Sequence, residues 1–506
     1  MPQPQVSWRE ALEAIAHPRV VCMLFLGFSA GIPILLIFSS LSLWLLEAGV
    51  ERASITFFSW AALGYSFKFV WAPLVDQLPL PFLTRWLGRR RGWLLLAQLA
   101  IISSIMTMAS TDPHQGELLW MALAAVGLGF SSATQDIVID AYRIEAASTR
   151  LQSLMSSAYI AGYRVAMVVA GAGALYLAAG FGSELGAYDY AAWQKTYFIM
   201  AAVMLAGVIT TLLIAEPETS QNRAYSHSAI TYARFVLVFM VGAATFAASF
   251  YLSADGINQL KRVVNDPLLG FLIEFIRLVL AVVLSLLVAK ACVMVGMVQP
   301  AMIEETYRVP VADFFRRYGV KTAILLLLLV GTYRISDIIL GVISNVFYAD
   351  IGFSKEQIAL AVKTFGVVMA IVGGFLGGVL SMRYGVLRIL FLGALLAAVT
   401  NLLFLWLAAV PELWLMYLVV AADNLCAGLA GAAFVAFLSG LTNVSFSAMQ
   451  YAIFSSVMTL LPKLLAGYSG SIVDSVGYGQ FFVITTLLGL PVLLLVMIAG
   501  RRLINK

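Results

Sequence analysis

Residues 117–143 read ELLWMALAAVGLGFSSATQDIVIDAYR. The eighteen residues from Leu118 to Gln135 carry no charge, and a helix of that length crosses most of the ~30 Å hydrocarbon core of a bilayer. Asp136, Asp140 and Arg143 then follow at i, i+4 and i+7, so they form one polar stripe on an otherwise apolar helix. An ionised group near the bilayer centre costs roughly 2.5–3.5 kcal/mol on insertion scales, so such a stripe is tolerated where it faces a polar interior shared with other helices. The segment therefore predicts an all-α integral membrane protein of the transporter or channel kind. Asp140 and Arg143, nearer the end of the span, have a second reading as an ion pair that locks a gate at the membrane edge.

The rest of the chain has the same character. Of its 506 residues, 62% are hydrophobic and 11% charged, against about 25% charged in a soluble domain. Stretches long and apolar enough to span lie near 20–46, 54–75, 92–110, 117–141, 152–180, 194–215, 230–254, 268–298, 320–348, 356–382, 386–409, 412–438, 447–473 and 478–500, which predicts fourteen transmembrane helices. Ahead of them, Ser7-Trp8-Arg9-Glu10 has the form of a capping box, and Trp8, Leu12 and Ile15 recur at helical spacing until Pro18. This predicts a short interfacial helix within 1–19. No small-residue cleavage site follows the first apolar run, so it reads as an uncleaved span. With the N-terminus inside, the cytoplasmic segments hold nineteen of the 31 Lys and Arg residues and the opposite side five. Both termini are expected in the cytoplasm.

The net charge of +5 comes from short basic clusters between spans, with no basic stripe interleaved with aromatics, and nucleic acid is not expected as a partner. Cys22, Cys292 and Cys426 lie far apart in apolar segments, and His17, His114 and His227 form no cluster. No metal, cofactor or disulfide framework is expected. A membrane enzyme would need a nucleophile, a base and a metal or cofactor set; Asp136 and Asp140 stand without these companions.

The two halves of the chain echo each other. Gly49 after the first span matches Gly352; Ser156-Ser157 precedes Arg164 and Gly171 at the intervals at which Ser455-Ser456 precedes Lys463 and Gly470. Gly378-Val379-Leu380-Ser381-Met382-Arg383-Tyr384-Gly385 resembles the Gly-x-Leu-x-Asp-Arg-x-Gly loop of the major facilitator superfamily, with Met382 in place of the acid, whereas Ala72-Pro73-Leu74-Val75-Asp76 keeps the acid before a longer basic loop. The expected organisation is an interfacial helix (1–19), a six-helix bundle (20–217), an inserted helix pair with cytoplasmic linkers (218–318) and a second six-helix bundle (319–506). Two similar bundles rocking about a central site give alternating access. The inserted pair has no repeat partner and is expected outside the twelve-helix core, with Glu274 and Arg277, spaced i, i+3, read as local pairing.

Seven cations fall within spans: Lys68, Arg164, Arg277, Lys290, Arg334, Lys363 and Lys463. Arg164 and Lys463 occupy equivalent places in the repeat and predict two cations facing each other across the bundles. Candidate substrate contacts are Tyr65, Lys68, Gln135, Tyr163, Arg164, Arg334, Lys363, Asn424, Gln450 and Lys463, the cations for anionic groups, the amides and phenols for sugar or peptide. Candidate coupling or gating residues are Asp136, Asp140, Arg143, Asp337 and Asp423. Arg334 and Asp337, at i, i+3, have a local ion pair as the alternative reading.

Ala133-Thr134-Gln135-Asp136-Ile137-Val138-Ile139-Asp140-Ala141 resembles the fourth-helix motif of the AmpG-type muropeptide permeases of Gram-negative bacteria. Gly88-Arg89-Arg90-Arg91-Gly92-Trp93-Leu94, Asp313-Phe314-Phe315-Arg316-Arg317, Lys363-Thr364-Phe365-Gly366, Asn424-Leu425-Cys426-Ala427-Gly428 and Ser445-Phe446-Ser447-Ala448-Met449-Gln450-Tyr451-Ala452 extend the likeness in order along the chain. Met449 stands where relatives have Thr, and Lys463 where some have Arg. The resemblance implies a major facilitator fold of twelve helices plus an inserted pair, acting as a monomer in the bacterial inner membrane. It also implies proton-motive-force-dependent import of N-acetylglucosaminyl-1,6-anhydro-N-acetylmuramyl peptides for peptidoglycan recycling, indirectly linked to β-lactamase induction and so to β-lactam resistance. Eukaryotic acetyl-CoA transporters resemble the same type, so another anionic metabolite is the alternative cargo. A drug or lipid exporter of this fold would want an apolar cavity, against which the five cations among the candidate contacts (Lys68, Arg164, Arg334, Lys363 and Lys463) count.

Overall fold

The computed structural model describes residues 7–51, 58, 65, 67–148, 150–183, 186–218, 228–264, 267–466 and 469–504. Among them twelve helices are long and apolar enough to cross a membrane. They fall on twelve of the fourteen expected stretches; the expected span 54–75 lies largely outside the described residues, and 447–473 includes a pair that does. In hydrocarbon each backbone amide and carbonyl needs an internal partner, which a helix supplies within itself. That is why apolar runs become helices here irrespective of their β-branched content.

The chain divides into two compact units, Met1–Arg223 with Phe314–Lys506, and Ala224–Asp313. In the larger unit, α1 (Trp8–Glu13) opens on a capping box: the Ser7 hydroxyl accepts from the Glu10 amide, and the Glu10 carboxylate accepts from the Ser7 amide. That amide and hydroxyl hold the Glu10 carboxyl below its ordinary range. The Arg383 guanidinium lies 4.4 Å from the centre of the Trp8 ring, so α1 rests on the end of α9 (below), a helix from the other half of the chain.

The first half continues with α2 (Pro18–Ile37), α3 (Ser39–Glu47), α4 (Arg89–Ala109), α5 (Leu118–Ala146) and α6 (Gln152–Val168). The second half holds α7 (Val320–Thr332), α8 (Ile335–Asp350), α9 (Gly366–Tyr384), α10 (Leu413–Leu441) and α11 (Ser447–Ala466). Each half has its own buried apolar cluster, one around Trp44, Trp193 and Tyr197, the other around Phe347, Phe404 and Phe482. Ile144, at the end of α5, belongs to the second cluster, so this helix reaches from one half into the core of the other.

Water expulsion gives little drive between helices in lipid, and close backbone packing takes its place. At Gly162 of α6 an added Cβ would sit 1.9 Å from the Leu24 carbonyl oxygen of α2; at Gly373 of α9 it would sit 2.0 Å from that of Leu425 in α10. Only glycine fits these two seams, one in each half. The smaller unit is a helix pair, Ala229–Leu252 and Pro267–Met294, joined through Ala254–Val264. The Ser285 hydroxyl donates to the Gly242 carbonyl at 2.7 Å. Arg277 donates to the Ser253 hydroxyl at 2.9 Å and to the Phe250 carbonyl, closing the end of the first helix. The side chain of Glu274 lies outside the described residues.

Gly373→Ala is expected to destabilise the detergent-solubilised protein by about 1–3 kcal/mol, the usual cost of overpacking. Gly431→Ala in α10, where nothing lies within 4 Å of an added Cβ, is the control. Thermal unfolding followed by size-exclusion fluorescence checks both.

Candidate functional site

Helix α5 carries the polar stripe, and its residues meet partners in turn along its length. The Tyr65 hydroxyl bonds to Ser132 Oγ at 2.5 Å, and Trp71 Nε1 donates to Thr134 Oγ1 at 3.1 Å. Gln135 is fully buried, its Oε1 accepting from Ser29 Oγ at 3.1 Å. Asp136 Oδ1 accepts from the Tyr159 hydroxyl at 2.9 Å and lies within electrostatic reach of Lys68 and Asp140. Asp140 stands between two cations, with Lys68 Nζ at 3.7 Å and Arg143 Nη2 at 3.2 Å.

Arg143 is more than Asp140's neighbour. It is 1% exposed, and its Nη1 donates to Gln152 Oε1, to Ser156 Oγ and, at 2.6 Å, to Ser439 Oγ of α10 in the other half. The Tyr451 ring lies 5.0 Å from the guanidinium. The expected gate-edge pair is thus present as one component of a contact between halves.

A second, tighter contact lies at the same end. Arg90 is fully buried; its Nη2 reaches Asp76 Oδ1 at 2.6 Å and Ser447 Oγ at 2.7 Å, and its guanidinium also holds Glu145. Arg89 adds Nη2 to Glu145 at 3.3 Å and Nη1 to the Asp76 carbonyl at 2.7 Å. The Asp76 carboxylate in turn accepts from the amides of Ala448 and Met449, at 3.3 and 3.0 Å. These are free donors in the first turn of α11, where the helix dipole also favours an anion. Two acids and two arginines from the first half, balanced in charge, therefore grip a helix end of the second. Where α6 meets α9, Ser153 Oγ and Ser157 Oγ donate to the carbonyls of Gly378 and Gly374, at 3.2 and 2.6 Å. These bonds join the halves toward the end where α1 lies.

The other cluster centres on a broken span. Tyr333 and Arg334 interrupt the helix between α7 and α8, Arg334 having φ −100° and ψ 13°. Arg334 Nε and Nη2 both reach Asp337 Oδ2, at 3.2 and 2.6 Å. Asp423 of α10 lies within electrostatic reach of Asp337. Arg164 of α6 faces this group from the first half, within reach of both Arg334 and Asp337. Its side chain is exposed. Among the described residues it makes no hydrogen bond or ion pair.

The structure thus groups Tyr65, Lys68, Asp136, Asp140 and Tyr163 on one side, and Arg164, Arg334, Asp337 and Asp423 on the other. Gln450 is apart from both, 2% exposed at the α11 end, its Oε1 accepting from Arg317 Nη2 and the Asn443 amide, each at 2.8 Å. Asn424 Nδ2 donates to the Val420 carbonyl of its own helix at 2.9 Å. Lys363 is exposed on a π-helical segment, Ala359–Phe365. The side chain of Lys463 lies outside the described residues. Sequence reasoning missed Glu145, Ser439 and Ser447 as partners. An acid at the end of an apolar span, two residues after Arg143, was the signal available for Glu145.

Similar proteins match nearly the whole chain. A family described as Acetyl-coenzyme A transporter 1 matches residues 19–120. An uncharacterised Haemophilus influenzae protein is 30% identical, spanning 95% of this chain and 93% of its own. The Anhydromuropeptide permease of Escherichia coli K12 is 28% identical over 97% of this chain and 82% of its own, and the Rickettsia felis protein named transporter AmpG 4 is 29% identical over 96% and 97%. Among solved structures, the proton:xylose symporter XylE aligns with a TM-score of 0.57 at 13% identity over 96% of this chain and 95% of its own. The outward conformation of FucP aligns with the same score at 12% identity, over 96% and 99%. The fold is that of the major facilitator superfamily, and the chain is a multi-pass membrane transporter rather than an enzyme. Likeness in sequence extends through both halves and the segment inserted between them, which a shared fold alone does not produce, and the chain belongs to the AmpG family of permeases.

Proposed function

We propose that this transporter imports anhydro-muropeptides, N-acetylglucosaminyl-1,6-anhydro-N-acetylmuramyl peptides, from periplasm to cytoplasm, driven by the proton gradient. The observation that carries the reading is Arg164, a cation in mid-span, exposed and without a hydrogen-bond partner among the described residues. Such a charge is costly unless a ligand or water satisfies it. The named Escherichia coli relative supports the cargo. In this reading residues 20–217 and 319–506 are the two rocking bundles. Arg164, Arg334, Lys363 and Lys463 serve the carboxylates of the substrate; Tyr65, Tyr163 and Asn424 serve its sugars and amides. Gln135 and Gln450, buried and bonded elsewhere, hold the fold. The Lys and Arg bias puts both termini in the cytoplasm, which makes the grip of Asp76, Arg89, Arg90 and Glu145 on α11 a cytoplasmic gate in its closed state. The protein acts as a monomer in the inner membrane and needs no cofactor.

Asp136 is the coupling acid, and Asp140 beside it acts mainly through the ion pairs of the gate. Asp140 shares Arg143 with Ser439 of the other half, so a proton on this pair of acids alters which bonds hold the gate. A second cargo, an acyl-coenzyme A, is favoured by the family match over residues 19–120.

Inverted vesicles are not needed to test this: right-side-out vesicles are expected to accumulate radiolabelled anhydro-muropeptide, and a protonophore to abolish the accumulation. Accumulation of labelled acetyl-coenzyme A in place of muropeptide would transfer the assignment to the second cargo. In the same vesicles Asp136→Asn is expected to preserve counterflow exchange and lose pH-driven accumulation, whereas Asp140→Asn should slow both. Continued accumulation by Asp136→Asn moves coupling to Asp337 or Asp423. For the gate, Asp76→Asn removes one partner of a buried network, a loss of about 3–5 kcal/mol. It is expected to raise maleimide labelling of a cysteine placed at Ser153; unchanged labelling shows that the network does not hold the gate.

A further inference from the structure

The Arg334–Asp337 pair differs from the buried Arg90–Asp76 pair in ways that bear on ligand binding. Arg90 and Asp76 are sealed, with side chains 0% and 2% exposed, whereas those of Arg334 and Asp337 are 37% and 24% exposed. The pair is also one-sided. Two guanidinium nitrogens converge on a single carboxylate oxygen, Oδ2, and among the described residues Arg334 Nη1 donates to nothing. A guanidinium fork is matched best by both oxygens of a carboxylate, so this pairing leaves binding capacity unused.

Its backbone setting is equally specific. Arg334 sits on the break between α7 and α8, and irregular backbone at membrane depth is tolerated where it is buried in protein or lines a cavity. Asp337 lies in the first turn of α8, beside amides that have no partner within the helix and at the positive end of its dipole. A carboxylate released by Arg334 would therefore keep a favourable place. Arg164 of the other half stands within electrostatic reach of both members of the pair and makes no hydrogen bond among the described residues, and Asp423 lies within reach of Asp337.

We propose that Asp337 is a stand-in for a substrate carboxylate: it holds Arg334 between transport cycles, and an incoming carboxylate displaces it and bridges Arg334 of one half to Arg164 of the other. The ligand class is a solute bearing at least one free carboxylate, and the inference rests on reading this interior as the substrate site. Binding then draws the two halves together through one anion, and discrimination between acids and their amides resides in these three residues.

The test uses the full chain in lipid nanodiscs and four probes: the anhydro-muropeptide, the same molecule with its carboxylates amidated, tricarballylate and its triamide. Asp337→Asn removes the competitor and is expected to tighten binding of both acids by a factor of roughly ten, within the usual range for linked equilibria, and to leave the amides unchanged. Equal or weaker binding of both acids by the variant overturns the proposal. Tightening for tricarballylate alone, with no muropeptide binding by any form, upholds the clamp and removes the muropeptide cargo. Should Asp337→Asn fail to fold, phenylglyoxal modification of the wild-type protein decides the matter. Both acids are expected to protect Arg164 and Arg334 at the same concentration, and protection of Arg164 alone overturns the proposal.

Discussion

A charged side chain in hydrocarbon is stable only beside a partner or water, and the organisation of this transporter follows from that constraint. Several of its intramembrane charges are paired in this way, Lys68, Asp140 and Arg143 on one side and Arg334 with Asp337 on the other. Helices bearing them must turn these faces inward, which produces a polar interior within an apolar shell. The apolar shell needs no design beyond composition, because lipid accepts any exposed leucine.

Two kinds of contact hold that interior in shape, and they work differently. Within each half, glycine seams such as Gly162 against Leu24 and Gly373 against Leu425 bring backbones together without charge. They depend on shape rather than charge. Between the halves the contacts are polar: Asp76 on the amides of α11, Arg143 on Ser439, and Ser153 and Ser157 on glycine carbonyls. Hydrogen bonds of this kind exchange readily for water, while an overpacked seam does not. A protein whose rigid parts are joined by shape and whose moving parts are joined by exchangeable polar bonds is suited to alternate between two openings.

Asp140 connects the two functions. It pairs with Lys68 in the interior and with Arg143, whose other nitrogen reaches the second half. Lys68 is thus three contacts from Ser439 of the second half, so the coupling proposed above requires no long pathway.

Reading residues in order was enough to establish that the chain spans a membrane, where most of its helices lie, and that Asp136, Asp140 and Arg143 share one face, because hydropathy and helical period are local properties. The i, i+3 spacing likewise announced the Arg334–Asp337 pair. What sequence could not decide is which side chains from distant spans meet. The place of Glu145 at the end of an apolar span hinted at a role but named no partner, and it is buried against Arg90 and Ser447, 55 and 302 residues away. Gln450, a reasonable substrate contact by type, is engaged by Arg317 and Asn443 instead. The helix break at Arg334 has no proline to announce it, and Gly331, three residues before it, is one of many glycines in the spans. Local patterns determine elements because each helix satisfies its own backbone. Only the tertiary structure decides the partners of a charge, because the nearest opposite charge in space belongs to another helix.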